Sequence, residues 1–249
     1  MAETHVAQPE LPNFVMMLAD RFGAHAFLER NSWFEGAVFS LIAIAAITIL
    51  AVIASRRASI VPGRLQVVVE LFVGGVDKFV CGILGPKGRA LTPFIGTLFV
   101  YILAMNIMSL VPFMKSPTSS WSTTLALSLS VFVYLQYTAL RQLGLLGYAD
   151  HMLGRPRGIV AATVLLPVFM FFLHSIGELI RPISLSLRLR SNIWGDDMLL
   201  AVLAGFGLKG APLFLFNMFL VLIAAVVQAC VFSLLTTIYF ALVLTHEEA

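Results

Sequence analysis

A charged and polar cluster lies between two long apolar runs in the last third of the chain. Its centre is Arg188, followed by Asn192 and by the acidic pair Asp196 and Asp197. A guanidinium stays ionised in proteins, and placing it inside a bilayer is costly, so an intramembrane arginine usually marks an ion pathway or binds a charged ligand. The expected chemistry is therefore the movement or binding of charge around Arg188.

Helical periodicity predicts that part of this cluster shares one helix face. At about 100° per residue, Asn192 lies about 40° from Arg188 and Asp196 about 80° from it, whereas Asp197 points to the other side. Periodicity therefore favours Asp196 over Asp197 as the neighbour of Arg188 on that face.

The same face extends upstream. If the kink at Pro182 is small, His174 and Arg181 project within about 40° of Arg188, and Glu178 lies roughly 80° away. Membrane helices bury polar faces against protein or water, because an unpaired charge in hydrocarbon costs several kcal/mol. The face therefore needs a partner.

Composition places this cluster in a membrane protein. Of the 249 residues, 59% are hydrophobic and 12% are charged, and the mean hydropathy is +0.95, which excludes an ordinary soluble domain. The net charge of +3 comes from lysines and arginines in short loops, which indicates membrane orientation and no nucleic-acid partner. Cys81 and Cys230 lie far apart without metal-binding spacing, so neither a disulfide nor a metal site is expected.

The pattern predicts an all-α polytopic fold with about five membrane-crossing segments. The first three crossings are expected at Ala37–Ala54, Phe94–Val111 and Ser116–Leu140. Basic loops at about 55–92 and 141–157 are expected on the cytoplasmic side by the positive-inside rule. Residues 1–33 are expected to form an N-terminal extramembrane or interfacial segment, and residues 34–249 a single transmembrane domain. The N-terminus would then lie outside and the C-terminus in the cytoplasm.

The last two helices are predicted to be too long to cross the bilayer along its normal. The stretch from Gly158 to about Leu208 would measure roughly 75 Å as one helix, and Gly210–Thr245 about 54 Å, against a hydrocarbon core of ~30 Å. Either the first bends near Pro167 or Pro182, or it lies strongly tilted. We expect the two to pair as a hairpin.

Each candidate side chain is also compatible with a purely structural role. Arg188 and Arg190 can snorkel to the headgroups or pair with Glu178, Asp196 and Asp197 inside the bundle. An ion pair and a proton-relay role are equally compatible with Glu178 and with Asp196. A hydrogen bond within the bundle is the simpler role for His174, as is contact between helices for Gln228.

The block from Arg181 to Asn192 strongly resembles the signature of subunit a of rotary F-type ATP synthases. Further stretches are similar in order and spacing, and the resemblance covers roughly residues 30–245. These stretches are Val61–Glu70, Pro93–Pro112 with Asn106, Ser122–Leu127, and Gln228 with Thr236–Tyr239.

The resemblance implies a stator subunit beside a rotating ring of c-subunits, with two offset half-channels that conduct protons to and from the ring. Arg188 would face the carboxylate of the ring, couple ion flow to rotation and prevent leak. Asn192 and Asp197 would line the outer half-channel, and Gln228 would face the arginine from the last helix. The resemblance thus favours Asp197 where periodicity favours Asp196, and both remain candidates.

The chain departs from the pattern of the family at three positions. The family often has an acidic residue in place of His174, a titratable or polar residue in place of Val221, and an apolar or small one in place of Arg190. Glu178 and Asp196 are candidates to compensate. These departures bear on the half-channel route more than on Arg188.

The resemblance also implies partners and a location. The partners would be the c-ring, peripheral-stalk b subunits, the rest of the ATP synthase and the lipid bilayer, and the location a bacterial inner membrane. The chain has no GxxxxGK[ST] phosphate loop, so nucleotide chemistry would belong to other subunits, with no catalytic site or cofactor expected here.

Two alternatives come from other protein classes. A secondary transporter would bind an anionic substrate at Arg188, but such proteins commonly have two related halves and none is visible here. An intramembrane hydrolase would need a motif such as HExxH or GxSxG, and the sequence has neither.

Overall fold

The fold is described by a computed structural model over residues 32–56, 63–111, 114, 116–152 and 162–245, which contain helices and no strand. The α-helices are α1 (Ser32–Arg56), α2 (Arg64–Leu84), α3 (Thr92–Met108), α4 (Trp121–Met152), α5 (Ala162–Ala204) and α6 (Ala211–Thr245). Short 3-10 helices occupy Gly85–Ala90, Pro117–Ser119 and Gly207–Gly210.

The predicted fold class, an all-α polytopic membrane protein, is confirmed. Three segments of the described helices are long and apolar enough to cross a bilayer: Gly36–Ala54, Trp121–Arg141 and Ala211–Val243. The apolar helix α3 is shorter, with 17 residues, which is about the minimum for a crossing. Helix α5 has the length for a crossing but carries the charged cluster.

Two segments predicted as basic loops contain helix. Helix α2 occupies most of the stretch at 55–92, with Gly63 and Gly85 at its two ends. Helix α4 runs past Arg141 to Met152, with a non-helical residue at Gly144. Most of the predicted N-terminal segment at 1–33, and residues 153–161 of the second loop, lie outside the described residues.

Both of the last two helices are longer than the hydrocarbon core is thick, as predicted, although α5 is shorter than the roughly 75 Å expected from the sequence. Helix α5 has 43 residues and α6 has 35, or about 64 Å and 52 Å at 1.5 Å per residue. Helix α5 remains helical through both Pro167 and Pro182, so the predicted bend does not interrupt it. A short connection with Gly207 at a φ of 58° then leads into α6, a left-handed conformation that glycine adopts without a steric penalty.

Helix α6 buries polar side chains and exposes many large apolar ones. Asn217, Gln228 and Thr236 are buried, whereas Leu215 and Phe216 are 72% and 63% exposed. A soluble helix would show the reverse arrangement. In a bilayer, lipid solvates the apolar side while polar groups find partners inside the protein.

The chain divides into two compact units. The first comprises the described parts of Met1–Val52, Val100–Thr123 and Leu189–Ala229. A buried polar network ties it together: the Ser116 hydroxyl donates to the carbonyl of Met105 at 3.0 Å, and the Thr118 hydroxyl donates to Asn106 Oδ1 at 3.2 Å. A Cβ on Gly36 would lie 3.1 Å from Thr123 Oγ1, so glycine permits a close approach there.

The second unit comprises the described parts of Ile53–Phe99, Thr124–Arg188 and Cys230–Ala249. Its buried core joins four helices through Val80, Leu91, Ile95, Leu135 and Phe240. Near this core, Asp77 on α2 accepts a hydrogen bond from the Thr92 hydroxyl at 2.9 Å and pairs with Arg89 at 3.6 Å. These bonds fasten α2 to the start of α3.

Candidate functional site

Arg188 lies on the exposed side of α5 in the second unit. Among the described residues of that unit, no hydrogen bond or ion pair engages its guanidinium. Gly177 and Ser184 share its helix face at about 100° per residue, and a Cβ on Gly177 would meet nothing within 4 Å. The surface at Arg188 is therefore low and open, and the exposed Ile180 lies about 80° round the helix from it.

Glu178 forms the centre of a polar cluster in the second unit. Its Oε2 accepts a hydrogen bond from Gln136 Nε2 at 2.5 Å and another from the Tyr148 hydroxyl at 3.1 Å. The Tyr148 hydroxyl also lies 2.9 Å from Gln136 Oε1. Glu178 therefore bonds to neutral donors on α4, and within this unit the ion pair left open by the sequence is not formed among the described residues.

Gly144 makes this cluster geometrically possible. Gln136 and Tyr148 are twelve residues apart, which is about 18 Å along a straight helix and too far for their side chains to meet. Helix α4 changes direction at Gly144, whose φ is 68° and ψ is 169°. This positive φ is available to glycine at little cost, and the turn brings the phenol back to the carboxamide.

Tyr148 is a permanent donor in this cluster. It lies beyond the apolar span Trp121–Arg141. Burial, followed by the negative charge of Glu178, raises the pKa of Tyr148 to about 12. Tyr148 therefore stays protonated across the physiological pH range and keeps its hydroxyl hydrogen for donation within the cluster.

The other cationic candidates of this unit are engaged. The half-buried His174 places its Nδ1 3.0 Å from the carbonyl oxygen of Met170, one turn earlier on α5. The guanidinium of Arg181 lies 5.1 Å from the ring centroid of Tyr239 on α6, a cation–π contact. That contact also shows that α5 and α6 pack against each other in this unit, in agreement with the predicted hairpin.

The first unit holds the remaining candidates. Asn192, Asp196 and Asp197 are half-buried, and Gln228 is 7% exposed. Asp196 Oδ2 and Gln228 Nε2 are buried atoms that have no hydrogen-bond partner among the described residues, and the same holds for Asn106 Nδ2, Arg190 Nη1 and Asn217 Nδ2. Buried polar atoms of this kind are ordinarily satisfied by internal water. The interior of this unit thus has the polarity to hold water.

Arg190 packs differently from Arg188. Its guanidinium lies 4.6 Å from the ring centroid of Trp121, at the start of α4, in a cation–π contact. No ion pair joins it to a described acid of its unit. A cation–π contact therefore replaces the snorkelling or ion pairing that the sequence left open for this arginine.

We expect the Arg190–Trp121 contact to contribute to stability. Replacing both residues by leucine, singly and together, should give a coupling energy of about 1 kcal/mol in a double-mutant cycle of denaturant unfolding, since Trp121 is partly exposed. Trp194→Leu is the matched control, because Trp194 is 46% exposed against 43% for Trp121. Additive effects of Arg190→Leu and Trp121→Leu would show that the contact contributes nothing.

Three residues of these clusters were missed by sequence reasoning. Gln136 had a signal, as the one amide inside the apolar run Val131–Leu140. Tyr148 had no signal in the sequence, because its position depends on the backbone of Gly144. Trp121 had no signal either, because the sequence does not show which ring faces Arg190.

No cluster of three potential metal ligands occurs among the described residues, and Cys81 and Cys230 are free thiols.

Comparison with known proteins gives consistent matches. The model of the family "ATP synthase A chain" matches residues 37–241. The chain is 37% identical over 249 residues to ATP synthase subunit a of Protochlamydia amoebophila, covering 96% of this chain and 91% of that protein. It is 34% identical over 246 residues to ATP synthase subunit a of Solidesulfovibrio magneticus, covering 96% and 98%. With the subunit a of Aliarcobacter butzleri it shares 37% identity over 213 residues, covering 84% and 89%.

Proposed function

The chain belongs to the ATP synthase A chain family, and from that premise we propose that it is the stator subunit that carries protons to and from the c-ring of a rotary ATP synthase. Family membership makes it a membrane component of the complex without a catalytic site of its own. The path of the protons, the role of Arg188 and the contact with the ring are our proposal.

The observation that carries the proposal is the exposure of Arg188. A guanidinium that is exposed on a membrane helix, with no described partner in its unit, is available to an anion of a neighbouring molecule. An ionised carboxylate on a ring of helices fits, because the nearby small side chains Gly177 and Ser184 allow a partner helix to approach closely. Ser191 and Gly195, exposed in the first unit, continue the small-residue spacing along α5.

The fixed charge of Arg188 would perform two tasks. It favours the ionised form of each arriving carboxylate, so the carboxylate releases its proton before passing. It also repels protons that would leak from one half-channel to the other. Each charge moved through 100 mV is worth about 2.3 kcal/mol, so preventing this leak preserves the energy that drives rotation.

Each compact unit supplies polar residues for one half-channel in this proposal. The first unit contributes Asn192, Asp196, Asp197 and Gln228, and its partnerless buried atoms support a hydrated route. Asp196 has the partnerless oxygen, whereas Asp197 matches the register of the family, and we assign both to the outer half-channel.

The second unit contributes Glu178 and His174 to the inner half-channel. The cluster around Glu178 holds a carboxyl that can exchange a proton, on the helix that carries Arg188. His174 stands one turn before Glu178 on α5 and supplies a second titratable group.

The proposal places the protein in a bacterial inner membrane. Helix α2 and the residues next to it carry four exposed basic side chains, which favours the cytoplasm for that segment by the positive-inside rule. They are Arg56, Arg64, Lys78 and Arg89. The N-terminus then lies outside and the C-terminus inside. Peripheral-stalk b subunits and the rest of the ATP synthase complete the set of proposed partners.

Proton conduction by the reconstituted chain, with and without its c-ring, tests the function. Two half-channels that meet only at the ring require the ring for conduction. Liposomes that carry both should take up protons under a potassium diffusion potential, as read by a pH-sensitive dye. Liposomes that carry this chain alone should stay at the background of protein-free liposomes.

The same liposomes test the alternative function. A secondary transporter that binds an anion at Arg188 would act without any ring. Equal proton uptake with and without the ring, or uptake of an anionic solute by the chain alone, would overturn the stator proposal.

A further inference from the structure

Two members of the Glu178 cluster, Gln136 and Tyr148 on α4, have no role assigned to them above. Gln136 and Tyr148 both bond to Glu178, and neither was among the residues expected on the ion path. Because both act on one carboxylate, they are candidates for residues that position it.

Both bonds go to the same oxygen. Gln136 Nε2 and the Tyr148 hydroxyl reach Glu178 Oε2 at 2.5 Å and 3.1 Å. Within the described part of this unit, Oε1 has no hydrogen bond. Two donors therefore fix the orientation of the carboxyl group and leave Oε1 as the oxygen that can bind and release a proton.

The phenol can serve both protonation states without moving its heavy atoms. The Tyr148 hydroxyl has one hydrogen and two acceptors at similar distances, Gln136 Oε1 at 2.9 Å and Glu178 Oε2 at 3.1 Å. An ionised carboxylate attracts that hydrogen more strongly than a neutral amide does. Once the carboxyl is protonated, rotation of the O–H bond alone returns the hydrogen bond to the amide oxygen.

We propose that Gln136 and Tyr148 are positioning residues that hold Glu178 as a proton-exchange group, with the Gly144 turn supplying the geometry. The inference rests on the proposed function, since the proton exchanged is one that the inner half-channel carries. One proton binds Oε1 and one leaves it, and nothing is oxidised or reduced. The charged and titratable groups described around the cluster are Tyr148 from α4, His174 and Arg181 from α5, and Tyr239 from α6, which stacks on Arg181.

The pH profile of proton conduction in Tyr148→Phe tests the inference. The substitution removes a donor that favours the ionised carboxylate, so the midpoint of the acidic limb should move to higher pH by roughly 0.5 to 1 unit. Liposomes with this chain and its ring are measured over the range of about pH 5 to 8. The matched control is Tyr137→Phe, since Tyr137 is on the same helix but 56% exposed, and its profile should equal that of the wild type.

Gln136→Met provides a second, independent variant. It keeps the side-chain length but removes the amide, and the profile should move in the same direction as with Tyr148→Phe. If one of the two variants fails to assemble with the ring, the pH profile of the other variant tests the inference. A profile that coincides with the wild type in an assembled variant overturns the inference, and so does failure of both to assemble, which would indicate a purely structural cluster.

The outcomes separate this inference from the proposed function. If the proposed function is wrong, the wild-type protein itself shows no ring-dependent conduction. If only the positioning role is wrong, the wild type conducts with the ring while the profiles of Tyr148→Phe and Tyr137→Phe both coincide with it.

Discussion

Replacing Arg188 by alanine should abolish ATP-driven proton pumping by the assembled complex, a loss of about 100-fold or more, as expected when a fixed charge is removed from a dry site. Without the guanidinium, no charge favours the ionised form of the passing carboxylate, and protons can cross directly between the half-channels. ATP hydrolysis would then proceed without building a pH gradient. The measurement is quenching of a pH-sensitive dye in inverted vesicles, at matched amounts of assembled chain and ring.

Two further variants show which property of Arg188 matters. Arg188→Lys keeps the charge but loses the planar fork of donors, so we expect partial pumping at most. Arg190→Ala is the matched control: it removes another arginine of α5, one that stacks on Trp121, and should leave coupling intact. Undiminished pumping by an assembled Arg188→Ala complex would exclude the coupling role, and equal losses in both alanine variants would point to a general need for charge on α5.

The long-range features of this fold were accessible from sequence because they follow from length and hydropathy. The apolar runs predicted α1, α3 and the apolar part of α4, and the 35-residue α6 was predicted as one unbroken helix. Helix α2 was missed because the basic residues at 55–92 indicated a loop between membrane crossings, and the positive-inside rule says nothing about whether such a loop is helical. Polarity inside α6 was visible as isolated residues such as Asn217 and Gln228.

The contacts of the site were less accessible, because they depend on where the backbone turns. Arg188 was identified from residue type and from resemblance. Its exposure needed the structure, since helical periodicity alone does not tell which face is covered. The bonds of Glu178 needed the positive φ of Gly144, and the stacking of Arg190 needed the position of Trp121. The charged groups were thus identifiable from the sequence, whereas their partners depend on the path of the backbone.

Replacing Glu178 by glutamine should reduce ring-dependent proton conduction by about 100-fold or more, the lower end of the effect expected for loss of a positioned proton-transfer group. Glutamine has nearly the same shape, and its oxygen can accept the same hydrogen bonds from Gln136 and Tyr148. The cluster and the packing of α4 against α5 should therefore survive. What disappears is the ability to bind and release a proton, so the loss reports on titration and not on folding.

A matched control exists on α2. Glu70 also accepts a hydrogen bond from a glutamine side chain, Gln66 at 2.7 Å, but it is exposed and far in sequence from the charged cluster. Glu70→Gln removes the same charge from the same kind of contact and should conduct as the wild type. Equal conduction by Glu178→Gln and the wild type would remove Glu178 from the proton path.

In that case His174, one turn earlier on the same helix, is the next candidate of the second unit. Replacing His174 by glutamine should then reduce ring-dependent proton conduction.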